Sequence, residues 1–310
     1  MTKKFKRFTK KNISINFLLI TLYLLWCHFG MGKIRSEHIF LVLLWVLGFY
    51  LHPKTRSFVL AFSFFILFWI IYDSMRVFPN YTVNTVHIRQ PYNIEKWLFG
   101  INDMGKILTP NEYFAIHHQK ILDFLSGFFY INWMPVPLAF GVYLFVKDKK
   151  MFLQFSLAFL LVNIFGFIIY YLYPAAPPWY VEKYGFNLQI GVPGSRAGLV
   201  RFDELINYPL FKNIYNKNAN VLAAMPSLHA TYPLIVLFFA IKKSLNKFFI
   251  ILFIIFTLGI WFAAVYSNHH YLIDVLAGIL LALMVLFGFN YLSETDTYLN
   301  KFIHHLHKQL

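Results

Sequence analysis

The sequence predicts an all-α fold, a polytopic bundle of about eight membrane-spanning helices. Three observations carry this. Only 13% of the 310 residues are charged, about half the usual share in soluble domains, so too little polar surface is present to coat a water-soluble globule. Hydrophobic residues make up 59% and aromatic residues 21%, and they gather in runs near the ~20 residues that cross a bilayer. Basic residues alternate between the segments that join those runs.

The elements follow in order. Residues 1–12 carry six Lys/Arg, as a signal peptide would, but the apolar run 13–29 leads into Gly30-Met31-Gly32-Lys33 without a small-x-small cleavage pattern. A retained first helix is therefore expected. Spans 38–51 and 57–72 are short and are separated by His52-Pro53-Lys54-Thr55-Arg56, where proline among charges suits a hairpin turn. The stripe Phe62, Phe64, Phe65, Phe68 and Trp69 reads as a lipid-facing or helix-packing surface. Residues 94–100 and 112–125 mix aromatic and charged side chains like interfacial helices. Further spans cover 124–146, 151–173, 226–241, 247–266 and 271–292.

A formal charge of +15 on a soluble protein would suggest nucleic acid. Here the charge lies between spans, so topology and anionic lipid account for it and no nucleic-acid partner is expected. The connecting segments 1–12, 52–56, 147–150, 242–247 and the tail after 292 are short, yet hold 16 of the 28 Lys/Arg. The alternate set includes the long segments 73–123 and 174–225 and holds the remaining 12. Basic loops stay cytoplasmic, so both termini are expected inside and the long segments outside. Cys27 is the single cysteine, which excludes an intramolecular disulfide and any CxxC site. The tracts His117-His118 and His304, His305, His307 lack cysteine or carboxylate at ligand spacing, so no metal is expected.

Three outer junctions hold the unusual residues: Tyr173-Pro174-Ala175-Ala176-Pro177-Pro178-Trp179-Tyr180, then Ala224-Met225-Pro226-Ser227-Leu228-His229-Ala230, then Tyr266-Ser267-Asn268-His269-His270-Tyr271-Leu272-Ile273-Asp274. The alternation above puts all three at one depth on one side. His270 and Asp274 are spaced to share one helical face. The carboxylate could hold one ring nitrogen and leave the other free to attack. An ionisable group at that depth is a functional candidate, against the plainer reading of a buried polar pair joining helices. His229 lies just inside a helix expected to begin near Pro226. Ser227 and the amides of that first turn suit an anionic oxygen, and a second histidine beside them suits protonation of a leaving alkoxide. Asp73 and Arg76, three apart at the outer end of the third span, could pair on one helical face or meet a head group. Lys217, Arg196 and Arg201 precede the second motif and offer further cations, with a solvated or lipid-facing role as the plain alternative.

The three motifs, in this order and spacing, resemble the type-2 phosphatidic-acid phosphatase superfamily, over the last six spans. More narrowly, they look like the inositol phosphorylceramide synthase branch, and His270-Tyr271-Leu272-Ile273-Asp274-Val275 is also similar to the sphingomyelin synthase branch. Tyr72-Asp73-Ser74-Met75-Arg76, with His87 further on, resembles the synthase branch as well. The resemblance implies a six-helix catalytic core. It implies that His270 is the nucleophile of a phospho-histidine intermediate, that Asp274 orients it, and that His229 protonates the departing diacylglycerol oxygen and then deprotonates the incoming hydroxyl. No cofactor is implied. Ser227, Arg76, Asp73, His87, Trp179, Tyr180 and Lys217 form the expected substrate-binding set. The expected division is N-terminal membrane helices over 1–56, the core over 57–292 and a cytoplasmic tail over 293–310.

The sequence departs from the phosphatases in two places. Ala264 stands where they carry an arginine six residues before the nucleophile, and Pro177-Pro178-Trp179-Tyr180 lacks their Lys and Arg. A phosphomonoester brings roughly two charges and a diester one, so fewer cations suit a diester donor. The expected function is transfer of phosphoinositol from phosphatidylinositol to ceramide in a bacterial inner membrane, with the site on the periplasmic face. A helper subunit stays open. The alternative is a lipid phosphatase acting on phosphatidate or a polyprenyl diphosphate. A transporter would need ionisable groups at several depths, and the inner halves of the later spans have none.

Overall fold

The computed structural model describes residues 8–217, 219–295 and 298–310, so residues 1–7 of the basic N-terminal stretch lie outside it. The described chain is helical apart from one small hairpin. Its axis is the helix Lys149–Leu172 (α9 once α1 to α8 below are counted). This helix is apolar on all sides, the pattern of a buried helix. Around it pack Ser63–Ser74 (α4), Pro135–Lys147 (α8), Leu228–Lys242 (α13), Leu272–Glu294 (α15) and the amphipathic Tyr298–His307 (α16). Phe152, Phe155 and Phe159 of α9 are fully buried. The aromatic stripe of α4 supplies much of their packing, with Phe65 and Phe68 placing ring centroids 4.8 and 5.3 Å from Phe159. Lys10–Leu25 (α1) and Ser36–Leu51 (α2) lie at the edge, where side chains such as Phe17 and Phe40 face outward.

The span count departs from the expected eight. Four helices are long and apolar enough to cross a bilayer: 10–30, α9, Lys247–Tyr266 (α14) and α15. The count rises to six if two bent pairs are each one span. Pro53–Ala61 (α3) and α4 meet at 47°, and Lys120–Ile131 (α7) and α8 meet at 41°. The second break precedes Pro135, which opens α8 and has no N–H to continue the ladder. The other two expected spans are short, α2 with 16 residues and α13 with 15. At ~1.5 Å per residue these reach roughly 24 Å or less, under the ~30 Å of a hydrocarbon core.

The two long connecting segments are structured. Arg89–Phe99 (α5) is followed by the strands Ile101–Asp103 (β1) and Lys106–Leu108 (β2), then Pro110–Ile116 (α6). The hairpin turns at Met104-Gly105, both at positive φ, as a two-residue turn of matching twist requires. Pro178–Tyr184 (α10), Val200–Leu205 (α11) and Leu210–Tyr215 (α12) fill the second segment. At the opposite pole, Lys243 pairs with Asp148 at 2.6 Å and Lys242 with Glu294 at 3.2 Å. Asp148, Lys242 and Glu294 border a cavity of about 370 Å³.

Candidate functional site

The three motif segments meet through backbone bonds. Ala175 and its neighbours lie between two extended stretches: His87 N–H donates to the Pro174 carbonyl at 2.8 Å, and Ala224 N–H to the Ala175 carbonyl at 3.1 Å. Trp179 N–H donates to the Asn268 carbonyl at 3.1 Å, joining the first motif to the third. Ser227 N–H donates to the Asp274 carbonyl at 2.9 Å, joining the second to the third. Asn80, fully buried, donates to the carbonyls of Tyr170 and Leu222, and the Tyr170 hydroxyl donates to that of Pro226.

Two imidazoles face each other at this junction. His229 Nδ1 lies 3.1 Å from His270 Nε2. The other nitrogen of His270, Nδ1, lies 3.0 Å from the Ala224 carbonyl. A carbonyl only accepts, so Nδ1 carries the proton and Nε2 of the neutral ring keeps its lone pair. Asp274 Oδ2 is 3.7 Å from Nδ1, beyond hydrogen-bonding distance. That oxygen accepts Tyr271 N–H at 2.9 Å instead. His270 precedes α15 rather than lying on it, which explains why the expected one-face pairing becomes a looser approach. His270 is 5% exposed and Asp274 fully buried, while His229 keeps partial exposure.

Aromatic rings wall the pair. The bend between α7 and α8 aims Trp133 edge-on at His229, with centroids 4.7 Å apart, and Tyr130 lies 5.1 Å away. His269 points elsewhere. It is stacked between Tyr130 and Tyr215, its Nε2 faces the Arg196 carbonyl at 3.1 Å, and burial pushes its pKa down to about 3. His269 is therefore a neutral, packed ring, and of the two adjacent histidines only His270 faces His229.

The remaining candidates divide. Ser227 is fully buried at the N-cap of α13, and its hydroxyl has no hydrogen-bond partner. Trp179 and Tyr180 are buried in a small cluster with Ile88, Ala176 and Leu222. His87 stacks on Tyr173 with centroids 4.0 Å apart. Asp73, 3% exposed, is met by Arg35, by His38 at 3.0 Å and by Arg76 at 2.9 Å. Arg76 also donates to the Lys217 carbonyl, which ties this ion cluster to the loop before the second motif, and the Lys217 side chain is exposed. Arg201 bonds Asp123, and Arg196 bonds Asp203 at 2.8 Å. Ala264 is fully buried between helices and accepts the N–H groups of both His269 and His270. An arginine there would have to displace packed core. Among the described residues no three His, Cys, Asp or Glu side chains converge as a metal site. Reasoning from sequence missed the Ala224 carbonyl, Tyr130, Asn80, Glu95 and Asn111. Only Glu95 left a signal, as a lone carboxylate on an amphipathic helix.

The profile of the PAP2 superfamily matches residues 106–287. The phosphoinositol dihydroceramide synthase of Bacteroides thetaiotaomicron is 45% identical over 284 residues, covering 91% of this chain and 93% of that protein. The inositol phosphorylceramide synthase catalytic subunit AUR1 of Saccharomyces cerevisiae is 28% identical over 233 residues, covering 71% of this chain and 54% of that protein. The inositol phosphorylceramide synthase of Candida albicans is 29% identical over 175 residues, 53% of this chain and 35% of that protein. The chain thus spans about half the length of the yeast subunit. No solved structure matches.

Proposed function

Because the chain belongs to the PAP2 superfamily, we propose that it transfers phosphoinositol from phosphatidylinositol to the primary hydroxyl of ceramide or dihydroceramide. It is an integral membrane enzyme of lipid metabolism, a transferase related to the inositol phosphorylceramide synthases. The observation that carries the finer reading is the histidine pair, in which a carbonyl-held His270 presents Nε2 to His229 at 3.1 Å.

The chemistry runs in two balanced steps. Nε2 of His270 attacks phosphorus, the bond to the diacylglycerol oxygen breaks, and His229, starting as the imidazolium, gives that oxygen a proton and becomes neutral. His229 then takes the proton of the ceramide hydroxyl, whose oxygen attacks phosphorus and releases His270. A ring separation of 3.1 Å leaves no room for phosphorus, so donor binding must part the rings. Ser227 offers its unpartnered hydroxyl to a phosphoryl oxygen. Asp274, 3.7 Å from Nδ1, favours the positive ring that forms. Alanine at 264, packed in the core, leaves out the cation that the phosphatases carry at that position, which supports a singly charged diester as donor. We place the site on the periplasmic face of an inner membrane. Supporting this, His229 stands at one end of α13 and Lys242 at the other, with the basic ends of α8 and α9.

The test uses purified protein with inositol-labelled phosphatidylinositol, with and without ceramide. Label is expected in a new lipid only when ceramide is present. Release of inorganic phosphate from phosphatidate, with no transfer, would replace the reading with a lipid phosphatase.

A further inference from the structure

Two buried polar side chains take no part in that chemistry, and both come from the outer segment between α4 and α7. Glu95 on α5 is fully buried, and its carboxylate accepts the N–H groups of Leu272 at 2.9 Å and Ile273 at 3.1 Å. These are the first two residues of α15. Asn111 on α6 is 1% exposed, and its Nδ2 donates to the carbonyls of His270 and Val265, both at 2.9 Å.

These contacts complete a set around one residue. The N–H of His270 donates to the Ala264 carbonyl at 3.0 Å, and its ring Nδ1 is held by Ala224. Asn111 holds its carbonyl, and Glu95 holds the amides two and three residues later. Backbone on both sides of the ring and one ring nitrogen are therefore fixed, and Nε2 is left facing His229. Burying a carboxylate is unfavourable unless its charge is met; here amides at the positive end of α15 meet it. Asn111 spends both of its amide hydrogens on these two carbonyls, while its Oδ1 is buried without a partner. Glu95 lies before the stretch 106–287 shared with the superfamily and Asn111 within it.

We propose that Glu95 and Asn111 are positioning residues that clamp the His270 loop and aim Nε2 at the phosphorus, an inference that rests on His270 being the nucleophile. Neither touches substrate. Both act by fixing a backbone that a phosphoryl group would otherwise push aside.

The experiment compares full-length wild type, Glu95→Gln, Asn111→Ser and His270→Ala in proteoliposomes, with rates expressed per folded molecule and thermal midpoints measured in parallel. Gln keeps the size of Glu95 but has one acceptor for two amides. The expected result is a kcat lower by roughly 10- to 100-fold in each clamp variant, as small misplacements of reacting groups produce, with KM for both lipids within about twofold. Wild-type kcat in both clamp variants, beside an inactive His270→Ala, would overturn the clamp and leave the nucleophile standing. Lower midpoints with unchanged kcat per folded molecule would likewise reduce both residues to structural caps. Wild-type turnover by His270→Ala would remove the nucleophile and the clamp together. If Glu95→Gln does not fold, Asn111→Ser decides by the same criteria.

Discussion

His270 has two acceptors near Nδ1, and they differ in kind. The Ala224 carbonyl at 3.0 Å sets the tautomer, and the Asp274 carboxylate at 3.7 Å adds charge without a hydrogen bond. Loss of the carboxylate charge should therefore act electrostatically. Unit charges near 4 Å interact by about 4 kcal/mol at an effective dielectric of about 20, which bounds the effect near a thousandfold. We expect Asp274→Asn to lower kcat by roughly 10²- to 10³-fold, less than a triad that loses its tautomer as well. His270→Ala and His229→Ala should abolish turnover with the fold intact. A drop under tenfold in Asp274→Asn, read from initial transfer rates, would mean that Ala224 alone orients the ring. That these three side chains come together was legible, because they sit in motifs at matching ends of their spans. Their contacts were not. The Ala224 carbonyl is backbone, identical in every residue, and only tertiary placement selects it. The spacing of His270 and Asp274 suggested one helical face, but the capping use of Asp274 at Tyr271 pulls the carboxylate toward the helix start.

At the scale of elements, the site depends on α15 lying against the start of α13. Gly278, one turn beyond Asp274, makes this possible: an added Cβ would stand 2.3 Å from the Ser227 carbonyl oxygen. That neighbour is backbone and cannot rotate away. Gly278→Ala should cost about 1–3 kcal/mol, the usual range for overpacking, and should depress transfer by displacing Ser227 and His229. Gly288→Ala on the same helix is the control, since nothing lies within 4 Å of its Cβ position. It should keep full activity and gain up to about 1 kcal/mol. Equal loss in both variants would mean that helix propensity, not the crossing, is at stake. Apolar composition made the helices themselves legible, but not their straightness or reach. A hydropathy run counts residues, whereas Pro135 divides the α7–α8 run and Pro226 delays α13 to Leu228. The α7–α8 break also bears on the site, because it sets Trp133 against His229. The long connecting segments were readable as amphipathic, but the hydrogen bonds that α5 and α6 make with the third motif join residues more than 150 positions apart, and no local pattern encodes them.

Across the whole molecule, the two ends of α13 differ in character. Charged side chains cluster at the pole of Asp148, Lys150, Lys242, Lys243 and Glu294, and the histidine pair opens at the other end of α13. An enzyme that draws both lipids from one leaflet needs its chemistry at one face, with the bundle below acting as a rigid support. Basic residues favour the cytoplasmic side, so the histidine pole should face outward. Chemical labelling tests this directly. Cys27 is the single cysteine and is fully buried, so Cys27→Ala gives a clean background. Ser244→Cys reports on the exposed turn between α13 and α14, and Leu188→Cys on the exposed segment after α10. A membrane-impermeant thiol reagent added to intact cells should label position 188 at once and position 244 only after permeabilisation. Immediate labelling of 244 with protection of 188 would invert the molecule and bring the histidines to the cytoplasmic leaflet. The same histidine chemistry would then have to draw its donor and its acceptor from the inside.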